Sequence, residues 1–318
     1  MTEHTRRSLL AAATALPLLQ TTARAAQGGG TKLIMLGTMG GPSVGAARYE
    51  TSHVLVHGDA AYVVDCGYGV TEQLVRAGVK LPGIRDVFVT HHHPDHNIEL
   101  GTLVYFAWYY GLSTPLGIYG PPPIRHMVQA YLDAEKPDVD IWVKDIGHKP
   151  MPPIGLHEIS RAGRVMHDEN VRVSAAIVQH PPVTPALGYR FDFADRSIAF
   201  SGDTAPSEAV VSLARGADVL VHEAMYVPGL PGGKEAAPTT RTAGSPGASD
   251  PKKLMEHLLK SHSPVEEVGR IAAEAGVKTL VLSHLVPVPP AVPEETLRAE
   301  AAKHFTGEII VARDLMVI

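Results

Sequence analysis

Cysteine is almost absent from this 318-residue sequence, in which Cys66 is the only one. A lone cysteine excludes an intramolecular disulfide. Cys66 follows Asp65 at the end of an apolar run and precedes Gly67. This setting favours a small buried residue at a strand end over a metal ligand or a nucleophile.

The sequence also lacks an excess of positive charge. Its 28 lysines and arginines face 33 aspartates and glutamates, which gives a net charge of −5. Aromatic residues make up only 6% and are not interleaved with basic ones. This balance gives no support to a polyanionic partner. We therefore expect no nucleic acid as partner, while assembly into a homo-oligomer stays open.

No segment is apolar enough to serve as a membrane anchor. The N-terminus instead predicts an export signal, with Arg6-Arg7, a short apolar stretch over residues 9–19 and an Ala23-Arg24-Ala25 cleavage site. We expect residues 1–28 to be a twin-arginine signal and residues 29–318 to form one domain. The predicted location is periplasmic or secreted, in a bacterium.

Residues 90–96, Thr-His-His-His-Pro-Asp-His, are the most informative stretch of the chain. They follow an apolar run and contain the pattern His91-x-His93-x-Asp95-His96. Zn²⁺ prefers such a mixture of imidazole and carboxylate ligands. One metal ion cannot comfortably use all four side chains of so short a segment, so the pattern indicates two metals side by side. The alternative is a solvated, histidine-rich loop that binds metals adventitiously.

The rest of the chain reads as two successive sets of strands and helices. A helix is predicted over residues 124–134, and residues 135–169 are predicted to be irregular. Several apolar strands end in a residue that can bind a metal or move a proton, and we expect these ends to converge on one edge of the core. Beyond the histidine run these residues are His180, Asp203, His222, Glu223 and His284.

These motifs together resemble the metallo-β-lactamase fold superfamily. The matching pieces are Asp65-Cys66-Gly67, residues 90–96, His180, residues 201–204 and His284. The resemblance implies an α/β fold, an αββα four-layer sandwich of two mixed β-sheets flanked by helices. Residues 115–121, 221–224 and 261–263 resemble the ribonuclease Z-like branch. Residues 283–287 and 313–315, with the histidine run, are most similar to its bacterial arylsulfatase-like members.

The resemblance implies a ligand set for two Zn²⁺ ions, with Mn²⁺ or Fe²⁺ as possible substitutes. It assigns His91, His93 and His180 to the first ion. Asp95, His96 and His284 hold the second, and Asp203 bridges both. Such a pair lowers the pKa of a shared water toward ~7 and makes hydroxide available at neutral pH.

The resemblance also implies roles for residues around the metals. Asp95 is expected to be a catalytic residue as well as a ligand. Glu223 and His262 would relay a proton to the leaving oxygen. The alternative is that Glu223 and His262 form a purely structural hydrogen-bonded pair. Asp65 would orient a metal-bound histidine, and His92 would point away from the metals.

From these features we expect an exported dinuclear zinc hydrolase of small esters, with aryl sulfates as the best single substrate. A phosphodiesterase or a lactonase using the same site is the alternative. Asp203 disfavours a β-lactamase, and the full ligand set disfavours a metal-binding protein without turnover. The aromatic residues 105–110 and the insertion 229–249 would form the substrate pocket and its lid.

Overall fold

The computed structural model describes residues 30–43, 48–230, 234 and 250–318. The predicted signal, residues 1–28, lies outside the described residues, as does nearly all of the predicted lid. Within the described part of the chain, no helix is long and apolar enough to cross a membrane.

The first β-sheet has seven strands in the order β14-β1-β2-β3-β4-β5-β6. It is mixed, because β1 to β3 are antiparallel neighbours whereas β3 to β6 run parallel. The strand bounds are β1 (Lys32–Gly37), β2 (Ser52–His57), β3 (Ala60–Val64), β4 (Ile84–Phe88), β5 (Leu116–Gly120), β6 (Ile154–Glu158) and β14 (Met316–Val317).

The second β-sheet also has seven strands, in the order β13-β12-β11-β10-β9-β8-β7. Strands β10 to β13 are parallel, and β7 to β10 are antiparallel neighbours. The strand bounds are β7 (Gly163–His167), β8 (Val171–His180), β9 (Val183–Phe193), β10 (Ser197–Phe200), β11 (Val219–Met225), β12 (Thr279–Val286) and β13 (Glu308–Val311).

Eight α-helices accompany the sheets in the described part of the chain. They are α1 (Val70–Arg76), α2 (Pro94–Asn97), α3 (Leu100–Tyr109), α4 (Ile124–Lys144), α5 (Glu208–Ala214), α6 (Pro251–Ser261), α7 (Val265–Ala275) and α8 (Glu294–Ala302). Buried side chains of both sheets, such as Phe88 and Phe191, form one apolar cluster between them. A second cluster joins the first sheet to α1, α3 and α4, and a third joins the second sheet to α5, α7 and α8. The predicted four-layer αββα sandwich is confirmed.

The topology brings the functional strand ends to one edge. Carboxyl ends of parallel strands meet at the same edge of a sheet, so β4, β5 and β6 end together in the first sheet, and β10, β11 and β12 in the second. Strand β8 is separated from β10 by the antiparallel β9, so β8 also ends there, at His180. We call this edge of the sandwich the metal rim.

The prediction that residues 135–169 are irregular is wrong. Helix α4 continues to Lys144 with Pro137 inside it, and the segment adds β6 and β7. Both strands lie at the end of a sheet and are largely exposed or half-buried. An edge strand of this kind lacks the alternating apolar pattern that identifies a strand in a sequence.

Candidate metal centre

The histidine run leaves β4 and turns into α2 at the metal rim. His93 precedes α2, which begins at Pro94 and places Asp95 and His96 in its first turn. The other metal-capable side chains come from the ends of β8, β10, β11 and β12. The run therefore supplies its four side chains as one rigid turn against the ends of the second sheet.

One group of side chains surrounds His93. Its Nδ1 lies 3.0 Å from Nε2 of His91 and 3.1 Å from Nε2 of His180. Nε2 of His91 is 3.7 Å from Oδ2 of Asp203. One ligand atom from each of these four residues lies within 4.8 Å of the others, so they can close around one ion.

A second group surrounds the other side of Asp203. Its Oδ2 lies 3.0 Å from Nε2 of His284 and 3.3 Å from Nε2 of His96. Oδ2 of Asp95 is 3.3 Å from the same His284 nitrogen and 3.6 Å from that of His96. One ligand atom from each of these four residues also lies within 4.8 Å of the others, and Asp203 is the member shared by both groups.

The buried polar atoms of this centre fit a divalent cation. Nε2 of His96 and Oδ1 of Asp203 are buried and have no hydrogen-bond partner among the described residues. Such groups are costly to bury unless something binds them. Burial opposes the charged form of His284, yet the carboxylates of Asp203 and Asp95 raise its pKa to about 10. The centre is thus lined by imidazole and carboxylate donors, which suits zinc or a related divalent metal.

Asp65 holds this arrangement from beneath. Its Oδ2 accepts a hydrogen bond from Nδ1 of His96 at 2.8 Å, and its Oδ1 accepts one from the Thr90 backbone N–H at 2.8 Å. This contact directs Nε2 of His96 into the centre, as the resemblance implied. Asp65 (φ 62°) and His284 (φ 45°) both have left-handed backbone conformations. Strain of this kind persists only where the surrounding structure fixes the side chain.

Glu223 and His262 form a hydrogen-bonded pair beside Asp203. Nδ1 of His262 lies 2.9 Å from Oε2 of Glu223, and Oε1 of Glu223 accepts the backbone N–H of Thr204 at 2.7 Å. Burial disfavours the imidazolium, but the Glu223 carboxylate outweighs it and raises the pKa of His262. His262 therefore carries a proton readily at the edge of the centre.

Two neighbours of the ligands take other positions. His92 points away from the centre, as expected, and its Nε2 lies 2.7 Å from the Pro121 carbonyl oxygen. Burial raises the pKa of the Cys66 thiol well above its usual range. The thiol belongs to none of the ligand groups found among the described residues. This agrees with a structural role.

Glycines and a histidine that the motifs did not single out complete the site. The Gly41 N–H donates to Oδ2 of Asp95 at 2.8 Å, and a Cβ on Gly40 would lie 2.6 Å from the His284 ring. His53 lies beneath the centre with its Nε2 3.2 Å from Oγ of Ser283, and burial lowers its pKa to about 3. Gly40 and Gly41 lie in the glycine-containing loop after β1, which is recognisable in the sequence. Nothing in the sequence distinguishes His53 from an ordinary strand residue.

The aromatic residues 105–110 do not line the centre. Tyr105, Phe106 and Tyr109 contact one another, and Tyr109 packs against Trp142 of α4 and against His148. Tyr105 and Tyr109 thus face α4, and the expectation that residues 105–110 wall a substrate pocket stays a prediction.

Comparison with known proteins supports this architecture. The family model described as "Beta-lactamase superfamily domain" matches residues 61–285. Ribonuclease Z of Mycobacterium bovis is 33% identical over 290 residues, covering 89% of this chain and 96% of the relative. Ribonuclease Z of Mycobacterium sp. strain KMS is 34% identical over 290 residues, with 89% and 94% covered.

Solved structures show the same fold. The metallo-β-lactamase fold protein YhfI from Bacillus subtilis aligns with a TM-score of 0.63 and 22% identity, covering 91% of this chain and 98% of that one. Human tRNase Z, short form, aligns with a TM-score of 0.63 and 21% identity, covering 90% and 98%.

These relatives correct two expectations from the sequence. The aryl sulfate assignment is wrong, because similarity over most of the chain is to proteins named ribonuclease Z. The expectation of no nucleic acid as partner is contradicted by the same relatives. Net charge was a poor guide because it averages over the whole surface. The fold, the family model and the clustered histidines and aspartates make this chain a metal-dependent hydrolase that belongs to the metallo-β-lactamase superfamily.

Proposed function

We propose that this protein is a phosphodiesterase that cleaves RNA at the metal rim. Two facts support the proposal: the relatives named ribonuclease Z, and a buried centre whose side chains suit hydrolysis of a phosphodiester. Hydrolysis of such a bond needs a nucleophile derived from water, charge neutralisation at the phosphoryl group and protonation of the leaving oxygen. The residues at the metal rim are suited to each of these three requirements.

The proposed ligand set keeps the assignments made from the sequence. His91, His93 and His180 would hold one divalent ion, and Asp95, His96 and His284 would hold the other. Asp203 belongs to both groups, and its carboxylate would offset the repulsion between two dications. Zinc suits these donors. When bound, the ions supply Lewis acidity, which favours ionisation of water and neutralises charge on the phosphodiester.

The Glu223–His262 pair is the proposed proton donor. Glu223 fixes the ring by holding Nδ1, which leaves Nε2 of His262 free of any hydrogen-bond partner within the described residues. His262 stacks on His284 with ring centroids 5.6 Å apart, so it lies directly beside the ligands. A protonated His262 in this position can protonate the ribose oxygen that leaves.

The single observation that carries the proposal is the shared position of Asp203. It is only 2% exposed, belongs to both ligand groups and has one oxygen without a hydrogen-bond partner. Asp203 touches four imidazoles within 3.9 Å, from His91, His96, His262 and His284. A carboxylate between two clusters of imidazoles is what a two-ion hydrolytic centre requires.

The test is a cleavage assay with zinc-loaded protein on a transfer RNA transcript, a single-stranded RNA and bis(p-nitrophenyl) phosphate. We expect hydrolysis of at least one RNA and of the small diester. Elemental analysis in parallel should find two metal ions per chain. Loss of RNA cleavage on chelation and recovery on adding zinc back would support the proposal. Failure of fully metal-loaded protein to cleave any phosphodiester would refute it.

Export is a second, separate proposal, because residues 1–28 lie outside the described part of the chain. It rests on the Arg6-Arg7 pair and the Ala23-Arg24-Ala25 site. Fusing residues 1–28 to a folded reporter should send it to the periplasm of bacteria with a working twin-arginine system. Replacing Arg6-Arg7 with two lysines should prevent this. Retention of the native fusion in the cytoplasm would contradict it.

A further inference from the structure

Three exposed arginines surround a cleft near the metal rim. Arg125 lies in the first turn of α4, Arg161 in the loop between β6 and β7, and Arg164 in β7. The cleft has a volume of about 510 Å³ and also includes His157 and Glu158. We call Arg125, Arg161 and Arg164 the arginine cluster.

The cluster is unusual in this protein because its charges are not neutralised. Most other arginines in the described ranges pair with carboxylates, as Arg85 does with Glu169 and Arg270 with Glu267. Within the described ranges, no carboxylate lies within ion-pair distance of Arg161 or Arg164. Arg125 donates only to the Leu156 carbonyl oxygen, at 2.7 Å. A net-negative protein thus keeps three guanidinium groups free on one surface.

One end of the cluster, at Arg161, lies at the same edge of the sandwich as the metal rim. Strands β4, β5 and β6 run parallel, so the loop that leaves β6 is at the edge where β4 delivers the histidine run. The Ile159 N–H donates to the Gly120 carbonyl, and the adjacent Pro121 carbonyl lies 2.7 Å from the His92 ring. Two strand spacings separate β4 from β6, roughly 10 Å, which places the loop of Arg161 close to the rim. Arg164 pairs with Ser174 of β8, six residues before His180, so it lies roughly 20 Å along that strand from the rim. The cluster therefore extends from the rim along the side of the sandwich, the path that an RNA strand of several nucleotides would follow.

Guanidinium groups are suited to phosphate because their N–H donors match its oxygens in pairs. A positively charged groove that follows the backbone is the common device for holding a single nucleic-acid strand. We propose that the arginine cluster binds backbone phosphates of the RNA strand next to the cleaved bond. This inference rests on the proposed function and names the surface that holds its substrate.

The test removes the three charges with Arg125→Gln, Arg161→Gln and Arg164→Gln in one full-length chain. A matched control replaces Arg76, Arg172 and Arg215 with Gln, which removes the same charge at exposed sites outside the cleft. Binding of a labelled single-stranded RNA to zinc-loaded protein is read by stopped-flow anisotropy before cleavage proceeds, between 50 and 200 mM salt.

We expect the cluster variant to bind RNA at least tenfold more weakly than wild type at 100 mM salt. The slope of log affinity against log salt should become shallower by about 2, since each phosphate neutralised on a single strand contributes ~0.7. The control variant should match wild type in both. Glu158→Gln should change affinity in the opposite direction, a few-fold tighter, because it removes the one acidic group in the cleft.

Hydrolysis of bis(p-nitrophenyl) phosphate separates this inference from the proposed function. That substrate is too small to span the rim and the cluster, so kcat/KM of the cluster variant should stay within twofold of wild type. If the small diester is cleaved but the cluster variant binds RNA as wild type does, or the control weakens equally, the arginine cluster is not the RNA site. If no phosphodiester is cleaved, the proposed function fails, and the binding comparison still reports on the cluster.

Discussion

Asp203 and Asp218 lie at opposite ends of the same sheet and have opposite surroundings. Asp218 precedes β11, where it accepts hydrogen bonds from the Ser197 N–H at 2.7 Å, the Ser197 hydroxyl at 2.9 Å and Lys278 at 2.6 Å. These bonds, that of Lys278 foremost, lower the pKa of Asp218 to about 2. Asp203 follows β10 at the metal rim, where imidazoles surround it and one oxygen has no partner.

The difference separates structural polar groups from functional ones. Both aspartates follow or precede apolar strands, so position in the sequence does not distinguish them. The carboxylate oxygens of Asp218 accept hydrogen bonds from Ser197 and Lys278 and need no further partner. Asp203 is buried among ionisable groups that cannot all satisfy one another, which is costly unless a cation completes the site. Unpartnered buried atoms that lie among other imidazoles and carboxylates, as at Asp203 and His96, therefore mark the candidate metal centre.

The largest expected effect is the difference between two single substitutions, Asp203→Asn and Asp218→Asn. Asp203→Asn should lower RNA cleavage by about 10³-fold or more and reduce bound zinc, because it weakens the ligand that we propose both ions share. Asp218→Asn should leave kcat/KM within about twofold and lower the free energy of unfolding by about 1 kcal/mol, allowing for solvent screening. Equal activity in the two variants would show that Asp203 and Asp218 do not differ in function.

Replacing the proton donor should give the next largest effect. His262→Gln should lower kcat on RNA by about 10²-fold, the lower range for loss of a general acid, with zinc content unchanged. The loss should be much smaller on bis(p-nitrophenyl) phosphate, whose leaving group needs little protonation. An equal loss on both substrates, or a loss of zinc, would assign His262 a structural role instead. His167→Gln, an exposed histidine of β7, is the matched control.

Zinc binding should stabilise the folded protein, and Asp218 at the opposite end of the sheet should not affect that stabilisation. Binding at 100 times the dissociation constant should add about 2.7 kcal/mol per site to the free energy of unfolding. The increment should be the same in Asp218→Asn and strongly reduced in Asp203→Asn. Thermal melts with and without a chelator measure it. Equal zinc stabilisation in the Asp203 variant would place the ion elsewhere.

A smaller, pH-dependent effect is expected at the end of the sandwich opposite the rim. Burial, together with the negative charge of Asp168, raises the pKa of Asp86 in β4 to about 7. The folded protein thus holds a proton that the unfolded chain releases near pH 4, so stability falls as pH rises from about 4 to 7. Asp86→Asn should flatten this decline by about 1–2 kcal/mol, a figure discounted because the side chain is partly exposed. Urea unfolding at pH 5 and pH 8 measures it; an unchanged pH dependence would contradict the raised pKa.

Much of the candidate site was predictable because its residues follow strongly apolar strands. Residues 90–96 carry four metal-capable side chains in one turn, and the topology brings His180, Asp203 and His284 to them, as the resemblance implied. The edge strands β6 and β7 and the second half of α4 were missed, because partial exposure and Pro137 remove the patterns on which such predictions depend. Those missed strands frame the arginine cluster.

The preferred substrate could not be read from the ligand set. Imidazoles and carboxylates that hold two cations serve many hydrolytic reactions, and what distinguishes those reactions lies in the surrounding surface. Net charge was misleading for the same reason. A net charge of −5 conceals three arginines that share one cleft and have no carboxylate partner in the described part of the chain.

The sequence by itself determined the fold and the chemical kind of the centre, because apolar strands and clustered histidines encode burial and metal affinity locally. Only the tertiary structure decided which polar groups satisfy each other and which are left to bind something else. It also decided that Arg125, Arg161 and Arg164 share one cleft. Pairing is a property of distances between residues far apart in the chain, and these distances are fixed only when the two sheets pack together.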